Sequence, residues 1–155
     1  MNEHLAESGQ WATFLLGAEH FAVPVEDVQE VLLSQPLTPV PLAPTQIVGL
    51  LNLRGAVMPA IDLRYQLGFP PADESIEQKF LVLKTNEGLV SIVVDDIGDG
   101  LELDAGAWRP GPDTLEVSHR AFVFAIHPLE SQMLLGLRVE RLWTDESGME
   151  ASPPN

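Results

Sequence analysis

The stretch GLLNLRGAVMPAIDLR, residues 49–64, places short apolar runs on both sides of an Arg54-Gly55 pair. Two apolar runs joined by a two-residue turn with glycine predict a β-hairpin, because glycine readily supplies the positive φ that such a turn needs. Arg54 then lies at the tip of the hairpin. A permanently charged guanidinium on a rigid turn suits a contact with carboxylates or carbonyls of a partner. On spacing alone, a solvated turn arginine is the favoured interpretation and a partner contact is the alternative.

The composition indicates a folded domain without a membrane span. The chain has 155 residues, 45% of them hydrophobic, which is enough for one compact domain or two small intimate ones. No apolar run approaches the roughly 20 residues of a transmembrane helix, and the opening MNEHLAESGQ lacks the basic and apolar regions of a signal peptide. We therefore expect a cytoplasmic protein. The absence of cysteine excludes disulfides, thiolate nucleophiles and cysteine-ligated metal sites.

The net charge narrows the class of partner. The chain carries 23 acidic and 8 basic side chains, a formal charge of -15. Such a surface repels the phosphates of nucleic acids and anionic membrane surfaces. We therefore expect a protein partner with complementary basic or apolar patches.

Short strands separated by turn residues fill most of the chain. After a polar tail to about Gln10, strands are predicted over residues 11–16, 21–25, 80–83, 89–94, 100–103, 121–126 and 133–137. A terminal helical turn is predicted over residues 139–143, and the last residues should fray. We expect Phe14, Val23, Leu51, Val57 and Val93 to point inward from their strands.

The segment that follows the first hairpin is predicted to form a short helix. Glu26 and Asp27 would place negative charge at its start. Val28, Val31 and Leu32 fall at i, i+3 and i+4, which gives an apolar face that packs inward. Glu30 would then point away from the core, near the end of the helix.

Proline and capping residues predict the connections. Residues 34–44 contain four prolines, so this segment should run extended along the surface while Leu37, Val40 and Leu42 pack against the domain. Residues 45–48 can form one helical turn. Asp62 is a predicted N-cap and Gly68 a predicted C-terminal stop of a short helix.

The spacing of these strands predicts the fold class. Turn signals at intervals of about 8 to 12 residues indicate small, closed or half-closed antiparallel sheets, and β-barrels are the natural interpretation. The polar loop at residues 70–78 is the one weak boundary along the chain. We predict an all-β protein with a few short helices.

Several motifs together resemble the CheW family of chemotaxis coupling proteins, over about residues 11–143. In order, they are Val28-Gln29-Glu30, Ile47-Val48-Gly49, Asn52-Leu53-Arg54-Gly55, Val57-Met58-Pro59, Ile61-Asp62-Leu63-Arg64 and Leu67-Gly68. The resemblance implies two five-stranded SH3-like barrels around a shared apolar interface. They would form a single domain over residues 11–143, with flexible tails at 1–10 and 144–155.

The resemblance also implies a function. It is that of a non-catalytic cytoplasmic adaptor, recruited to membrane receptor arrays, which joins the hairpin tip of a chemoreceptor to the regulatory domain of the histidine kinase CheA. No cofactor, metal site, catalytic residue or direct membrane insertion is implied. Carried over by matching motif, the receptor-binding residues are Val28, Glu30, Asn52, Leu53, Arg54, Gly55 and Val57. The kinase would meet an apolar barrel end, which the resemblance does not assign to individual residues.

The end of the chain departs from the family pattern. A Phe-x-x-Gly motif is typical where this chain has residues 122–126, and an acidic residue typically ends the apolar strand where it has Gly136-Leu137-Arg138. A divergent paralog that serves a related non-flagellar pathway, such as twitching motility, is therefore an alternative. The alternative from another class is a small-ligand-sensing β-barrel, which would have a pocket and be stabilised by its ligand.

Other groups of polar and aromatic residues give weaker evidence of a functional site. The acidic run Asp95, Asp96, Asp99, Glu102 and Asp104 lacks the spacing of an EF-hand, so a solvated acidic loop is favoured over a metal site. The four histidines are dispersed and are interpreted as surface residues. Trp108 is interpreted as a packed side chain, with a cation–π or partner-anchoring role as the alternative.

Overall fold

The computed structural model describes residues 9–110 and 122–142. Their strands are β1 (Gly9–Leu16), β2 (Glu19–Pro24), β3 (Val28–Leu32), β4 (Ile47–Leu53), β5 (Ala56–Asp62), β6 (Lys79–Thr85), β7 (Gly88–Val94), β8 (Asp96–Ile97), β9 (Leu101–Leu103), β10 (Val123–Pro128) and β11 (Met133–Leu137). The helix α1 spans Leu63–Gln66, and single 3-10 turns cover Val25–Asp27, Ala105–Ala107 and Val139–Arg141. The prediction of a mainly β protein with a few short helices is confirmed.

The strands form two sheets. The first has the order β10-β11-β2-β1-β8, and β9 also pairs with β1; the second has the order β3-β6-β7-β5-β4. Neighbouring strands are antiparallel except for two pairs, β11 with β2 and β5 with β7. Each parallel pair joins hairpins that are distant in sequence, which is a long-range contact that local patterns do not reveal.

The second sheet is a continuous insertion between strands of the first. The chain leaves the first sheet after β2, builds β3 to β7, and returns at β8. The loop at residues 70–78 joins α1 to β6, so it connects two elements that flank strands of the same sheet. The weak boundary predicted at this loop therefore does not separate the sheets, because polar turn residues mark surface loops of every kind.

One apolar core is shared by both sheets. It contains Phe14, Phe21 and Val23 from the first sheet and Leu81, Ile92 and Val94 from the second, together with residues of β10, β11 and α1. The rings of Phe14 and Phe21 stack with centroids 5.5 Å apart. The SH3-like sheets thus pack around a common interface, as the resemblance implies.

The region predicted as a helix after Glu26 is instead a 3-10 turn followed by strand β3. Val28, Glu30 and Leu32 are half-buried and alternate with exposed Gln29 and Val31, which is the period of a strand. β3 pairs with β6, with a bulge between Val28 and Glu30. The helix prediction is wrong because the apolar pattern of a five-residue segment is too short to decide its structure, and pairing with a distant strand decides it instead.

The predicted inward positions are correct except for one. Phe14, Val23, Leu51 and Val93 are buried, whereas Val57 is 58% exposed. Val57 lies opposite Asn52 in the β4–β5 hairpin, and this pair occupies the solvent face. The error has a local cause, since a β-branched residue in an apolar run carries no signal of which face it occupies.

Local capping signals are confirmed around α1. The Asp62 carboxylate accepts hydrogen bonds from the backbone N–H groups of Arg64 and Tyr65, and Gly68 follows the helix with a φ of 81°. Residues 45–48 contain a turn closed by the bond from Ile47 N–H to Pro44 O rather than a helical turn. Leu42 does not pack as predicted, because its side chain is fully exposed.

The departure from the family pattern near the C-terminal end has a packing explanation. Ala125 pairs with Gly136 across β10 and β11. A Cβ atom on Gly136 would lie 2.4 Å from the ring of Phe124, so the glycine on one strand makes room for the aromatic ring on the other. The last strand, β11, therefore forms and pairs on both sides.

Some sequence predictions lie partly or wholly outside the described residues. β1 begins at Gly9, two residues before the predicted start, and β10 begins at Val123. The predicted tails fall outside the description at residues 1–8 and 144–155. So do the predicted strand start at Ala121 and the end of the terminal helical turn at Trp143.

Candidate functional site

The turn at residues 54–55 has the geometry that the sequence predicts. Arg54 and Gly55 both have positive φ, 52° and 88°, and Leu53 pairs with Ala56 across the two-residue turn. These are the features of a type I′ hairpin, which matches the twist of the flanking strands. The Asn52 side chain accepts a hydrogen bond from Gly55 N–H at 3.1 Å. This contact holds Arg54 in a conformation that a non-glycine residue adopts at some cost.

Arg54 makes a two-pronged ion pair with Glu30. Its Nη2 lies 2.6 Å from Oε1 of Glu30 and its Nη1 lies 3.3 Å from Oε2. The Arg54 side chain is 67% exposed and that of Glu30 is 27% exposed. The parallel arrangement of two donors and two acceptors fixes the plane of the guanidinium. Arg54 is therefore presented to solvent in a defined orientation rather than as a freely moving turn residue.

The ion pair also joins the two edge strands of the second sheet. β3 and β4 are the outer strands of its order, Glu30 belongs to β3, and Arg54 follows β4. The correction of the short helix to a strand is essential here, because it is β3 that carries Glu30 toward the hairpin tip. The carboxylate and the guanidinium, 24 residues apart in sequence, meet across the gap between these strands.

The other predicted receptor-binding residues divide into exposed and packed groups. Asn52, Gly55 and Val57 are exposed around the turn, whereas Val28 and Leu53 are half-buried. Val28 packs against the shared core and Leu53 against a smaller apolar cluster of the second sheet. The structure thus brings Glu30 into contact with Arg54, and Asn52 into contact with Gly55.

A second ion pair, between Arg64 and Asp95, is buried, and no sequence motif predicts it. Arg64 Nε and Nη2 lie 2.9 Å and 2.5 Å from the two carboxylate oxygens of Asp95. Arg64 Nη1 also donates to Pro70 O, and Asp95 accepts from the backbone N–H of Gly17. Both side chains are 9% exposed. This cluster ties α1, the loop after it, the end of β7 and the first hairpin turn together.

The pair changes the ionisation of both groups. Hydrogen bonding from Arg64 lowers the pKa of Asp95 despite the opposing effect of burial, and the Gly17 N–H lowers it further. The hydrogen bond to Asp95 raises the pKa of Arg64, which stays charged at all ordinary pH values. The ionised pair is therefore the stable form of this cluster in the folded protein.

Acidification is expected to remove the stabilisation that Asp95 provides. Because its folded-state pKa is lowered, this contribution is complete above the unfolded-state pKa of about 3.9 and is lost as the pH falls through the lower folded-state value. Urea unfolding at a series of pH values from about 7 to about 2 should show a decline in the free energy of unfolding below about pH 4. The Asp95→Asn variant should show a shallower decline. An identical slope in the two proteins would contradict the assignment.

The acidic run is not uniformly solvated. Asp95 is buried with Arg64, whereas Asp96 is exposed and pairs with Lys79 at 2.9 Å. Asp104 caps a 3-10 turn through the N–H of Gly106. Within residues 9–110 and 122–142, no group of three or more metal-ligating side chains is placed to hold an ion. The solvated-loop interpretation is wrong for Asp95, whose position at the end of β7 turns it toward α1.

The aromatic cluster of the first sheet includes one unexpected histidine. Trp108 is 9% exposed and packs against Trp11 and Phe124 with ring centroids 4.9 Å away from each, which confirms the prediction of a packed side chain. His127 is 6% exposed and meets the Trp108 ring edge-on at 5.0 Å. The surface interpretation is therefore wrong for His127, while His4 and His119 lie outside the described residues.

Comparisons with known proteins agree with this architecture. The family model described as a CheW-like domain matches residues 10–147. The chain is 28% identical to the chemotaxis protein CheW of Rhizobium meliloti over 145 residues, covering 93% of this chain and 94% of the relative. It is 30% identical to the probable chemotaxis protein CheW of Rhizobium etli over 132 residues, covering 85% of each. It is also 24% identical to protein PilI of Pseudomonas aeruginosa over 122 residues, covering 79% and 68%.

The fold is shared with a solved structure. The scaffolding protein TtCheW of Thermoanaerobacter tengcongensis superposes with a TM-score of 0.83, at 24% identity, over 96% of this chain and 100% of that one. Among the helices of the described residues, none has the length and apolar character that a membrane crossing requires.

Proposed function

Because the chain belongs to the family of CheW-like proteins, we propose that it is a non-catalytic adaptor that couples chemoreceptors to the histidine kinase CheA in the cytoplasm. Its membership of a chemotaxis scaffold family supports the general role. We further propose that its two partners are a chemoreceptor and CheA, that it has no catalytic activity, and that it is recruited to receptor arrays. The surface around the Arg54 turn is the proposed receptor contact.

The single observation that carries the receptor contact is the orientation of Arg54. The guanidinium is exposed, yet its plane is fixed by Glu30 on one side and its backbone by the Asn52 contact to the turn. Preorganised arginine side chains are favoured at protein interfaces, since less side-chain freedom is lost on binding. Exposed Val57 supplies apolar surface three residues along the hairpin. Together they offer a charged anchor beside an apolar contact on a rigid support.

The proposed receptor contact includes all seven residues predicted from the sequence: Val28, Glu30, Asn52, Leu53, Arg54, Gly55 and Val57. Their roles differ according to exposure. Arg54 and Val57 would touch the receptor directly, Glu30 would orient Arg54, and Asn52 with Gly55 would maintain the turn. Val28 and Leu53, being half-buried, would contribute mainly by supporting β3 and the hairpin.

Replacing Arg54 by Ala is expected to weaken binding of a chemoreceptor hairpin fragment by about 1–3 kcal/mol, as for other arginine anchors. The fold should persist, because an exposed ion pair contributes little to stability. Arg54→Lys should recover only part of the loss, since an ammonium cannot reproduce the planar fork of donors. Calorimetric titration of the fragment into each variant, with thermal melting alongside, measures both quantities.

Two controls make this experiment specific. Arg109→Ala removes another exposed arginine, which forms an isolated bridge with Ile126 of β10, and should leave receptor affinity unchanged. Binding of the CheA regulatory domain should also survive Arg54→Ala. Equal receptor affinity for the wild type and all three variants would remove Arg54 from the contact. A large fall in the melting temperature of Arg54→Ala would instead assign Arg54 a structural role.

A further inference from the structure

A groove of about 410 Å³ opens at the end of the second sheet that lies away from the Arg54 turn. The proline-rich segment forms one wall and the loop before β6 forms the other. Val48 lines the groove near the start of β4, and Arg54 follows the end of the same strand. Six residues of extended chain separate the two positions by about 20 Å. The groove is therefore distinct from the proposed receptor contact.

The floor of the groove is apolar. Phe80 and Val93, which are 5% and 7% exposed, form its base together with Leu37. Val48 also lines it and is 42% exposed. The apolar surface thus reaches the exposed rim of the groove at Val48, where it can contact an extended ligand.

The charge in the groove has one sign. Asp62 and Glu77 line it, and its described lining contains neither lysine nor arginine. The whole chain carries a formal charge of -15, which reinforces the negative potential at this end of the sheet. A ligand that combines a positive charge with apolar groups would complement both the carboxylates and the floor.

Backbone contacts hold the proline-rich wall in place. Thr38 and Leu50 exchange two hydrogen bonds, 3.0 and 2.8 Å long, which attach the proline-rich segment to β4. The approach is close, because a Cβ atom on Gly49 would lie 2.9 Å from the carbonyl oxygen of Thr38. In the other wall, Asp73 O accepts from the N–H of Ile76 at 2.9 Å, which closes a turn within the loop. A wall that is already attached to the sheet lowers the cost of ordering on binding.

We propose that this groove is a second docking site, and that its occupant is an extended segment of a partner protein in which lysine or arginine side chains are flanked by apolar ones. The exposed apolar rim favours a polypeptide, which can continue beyond the groove. The strong negative charge of the chain disfavours a second copy of the same protein. With the Arg54 contact at the other end of the sheet, the adaptor would hold two polypeptides at once. The groove proposal does not depend on the receptor contact.

The test uses the 155-residue chain labelled with ¹⁵N and two synthetic nine-residue peptides. One alternates valine or leucine with lysine, and the other has glutamate at each lysine position. Titration with the lysine peptide should produce saturable shifts in the amide signals of Val48, Glu77 and Phe80, and the glutamate peptide should produce none. Glu77→Lys and Val48→Asn should each weaken binding of the lysine peptide at least tenfold. Arg54→Ala should bind it as tightly as the wild type does.

Several results would overturn the proposal. No saturable shift with the lysine peptide, or equal binding of the glutamate peptide, would show that the groove does not recognise this chemistry. Equal affinity for hexylamine would make it a site for small organic cations. Concentration-dependent dimerisation that shifts the same signals in the absence of peptide would make it a contact between two copies. If the Arg54→Ala variant lost receptor binding, the interpretation of each of these results would stay the same.

Discussion

Replacement of Asp95 by Asn is expected to lower the free energy of unfolding by about 3–5 kcal/mol, the range found when one partner of a buried ion pair is removed. Arg64 would stay buried with its charge uncompensated, since its side chain is only 9% exposed. Both carboxylate oxygens of Asp95 accept hydrogen bonds from Arg64, and one of them also accepts from the N–H of Gly17. An asparagine would offer only one acceptor oxygen in their place. Urea unfolding at about pH 7, followed by far-ultraviolet circular dichroism, measures the change.

Asp96→Asn is the matched control. It makes the same chemical change one residue away, at an exposed carboxylate that pairs with Lys79. Solvent screening makes such a pair weak, so this variant should unfold almost as the wild type does. A double variant, Arg64→Met with Asp95→Leu, should be less destabilised than Asp95→Asn, because it leaves no unpaired charge behind. If Asp95→Asn cost no more than Asp96→Asn, the Arg64 pair would not contribute materially to stability.

The elements that the sequence predicts well are those with a local cause. The Arg54-Gly55 turn needs positive φ at adjacent residues, and glycine between apolar runs signals it directly. The cap at Asp62 and the stop at Gly68 are likewise decided within a few residues of α1. β3 is different, because Val28, Val31 and Leu32 follow the period of a helix within a segment of only five residues, although the segment is a strand. Only its pairing with β6, about 50 residues away, selects the strand.

In the candidate site, too, features with a local cause are predictable and features that depend on distant contacts are not. The position of Arg54 at a hairpin tip is predictable, but its partner Glu30 is 24 residues away and becomes a neighbour only when the second sheet forms. Asp95 cannot be distinguished from Asp96 in an acidic run, although one is buried against Arg64 and the other is exposed. Residues 90–95 are all buried, so no alternation marks Asp95. The contacts of its carboxylate with Arg64 and with the N–H of Gly17 select it. Motif resemblance brought Glu30 and Arg54 into one set without indicating that they touch.

Replacement of Ile92 by Ala is expected to destabilise both sheets together, by about 2–5 kcal/mol. Ile92 belongs to β7 of the second sheet and is fully buried in the core that the first sheet shares. Trp11 and Trp108 report on the first sheet, since they pack in its aromatic cluster. Tryptophan fluorescence and far-ultraviolet circular dichroism should therefore show the same shift in the urea midpoint, although the substitution is in the other sheet.

The two urea midpoints should shift together because of how the core is built. Phe14 and Phe21 of the first sheet and Ile92 of the second belong to one cluster, so neither sheet can bury its inner face alone. The chain also enters and leaves the second sheet through the first, which links the ends of one to the strands of the other. Ala12→Gly is a suitable control for the first sheet, as it perturbs a half-buried position on β1 beside the same core. A fluorescence midpoint that stayed at the wild-type value in Ile92→Ala, while the circular dichroism midpoint fell, would show that the sheets unfold independently and would contradict a single domain over residues 11–143.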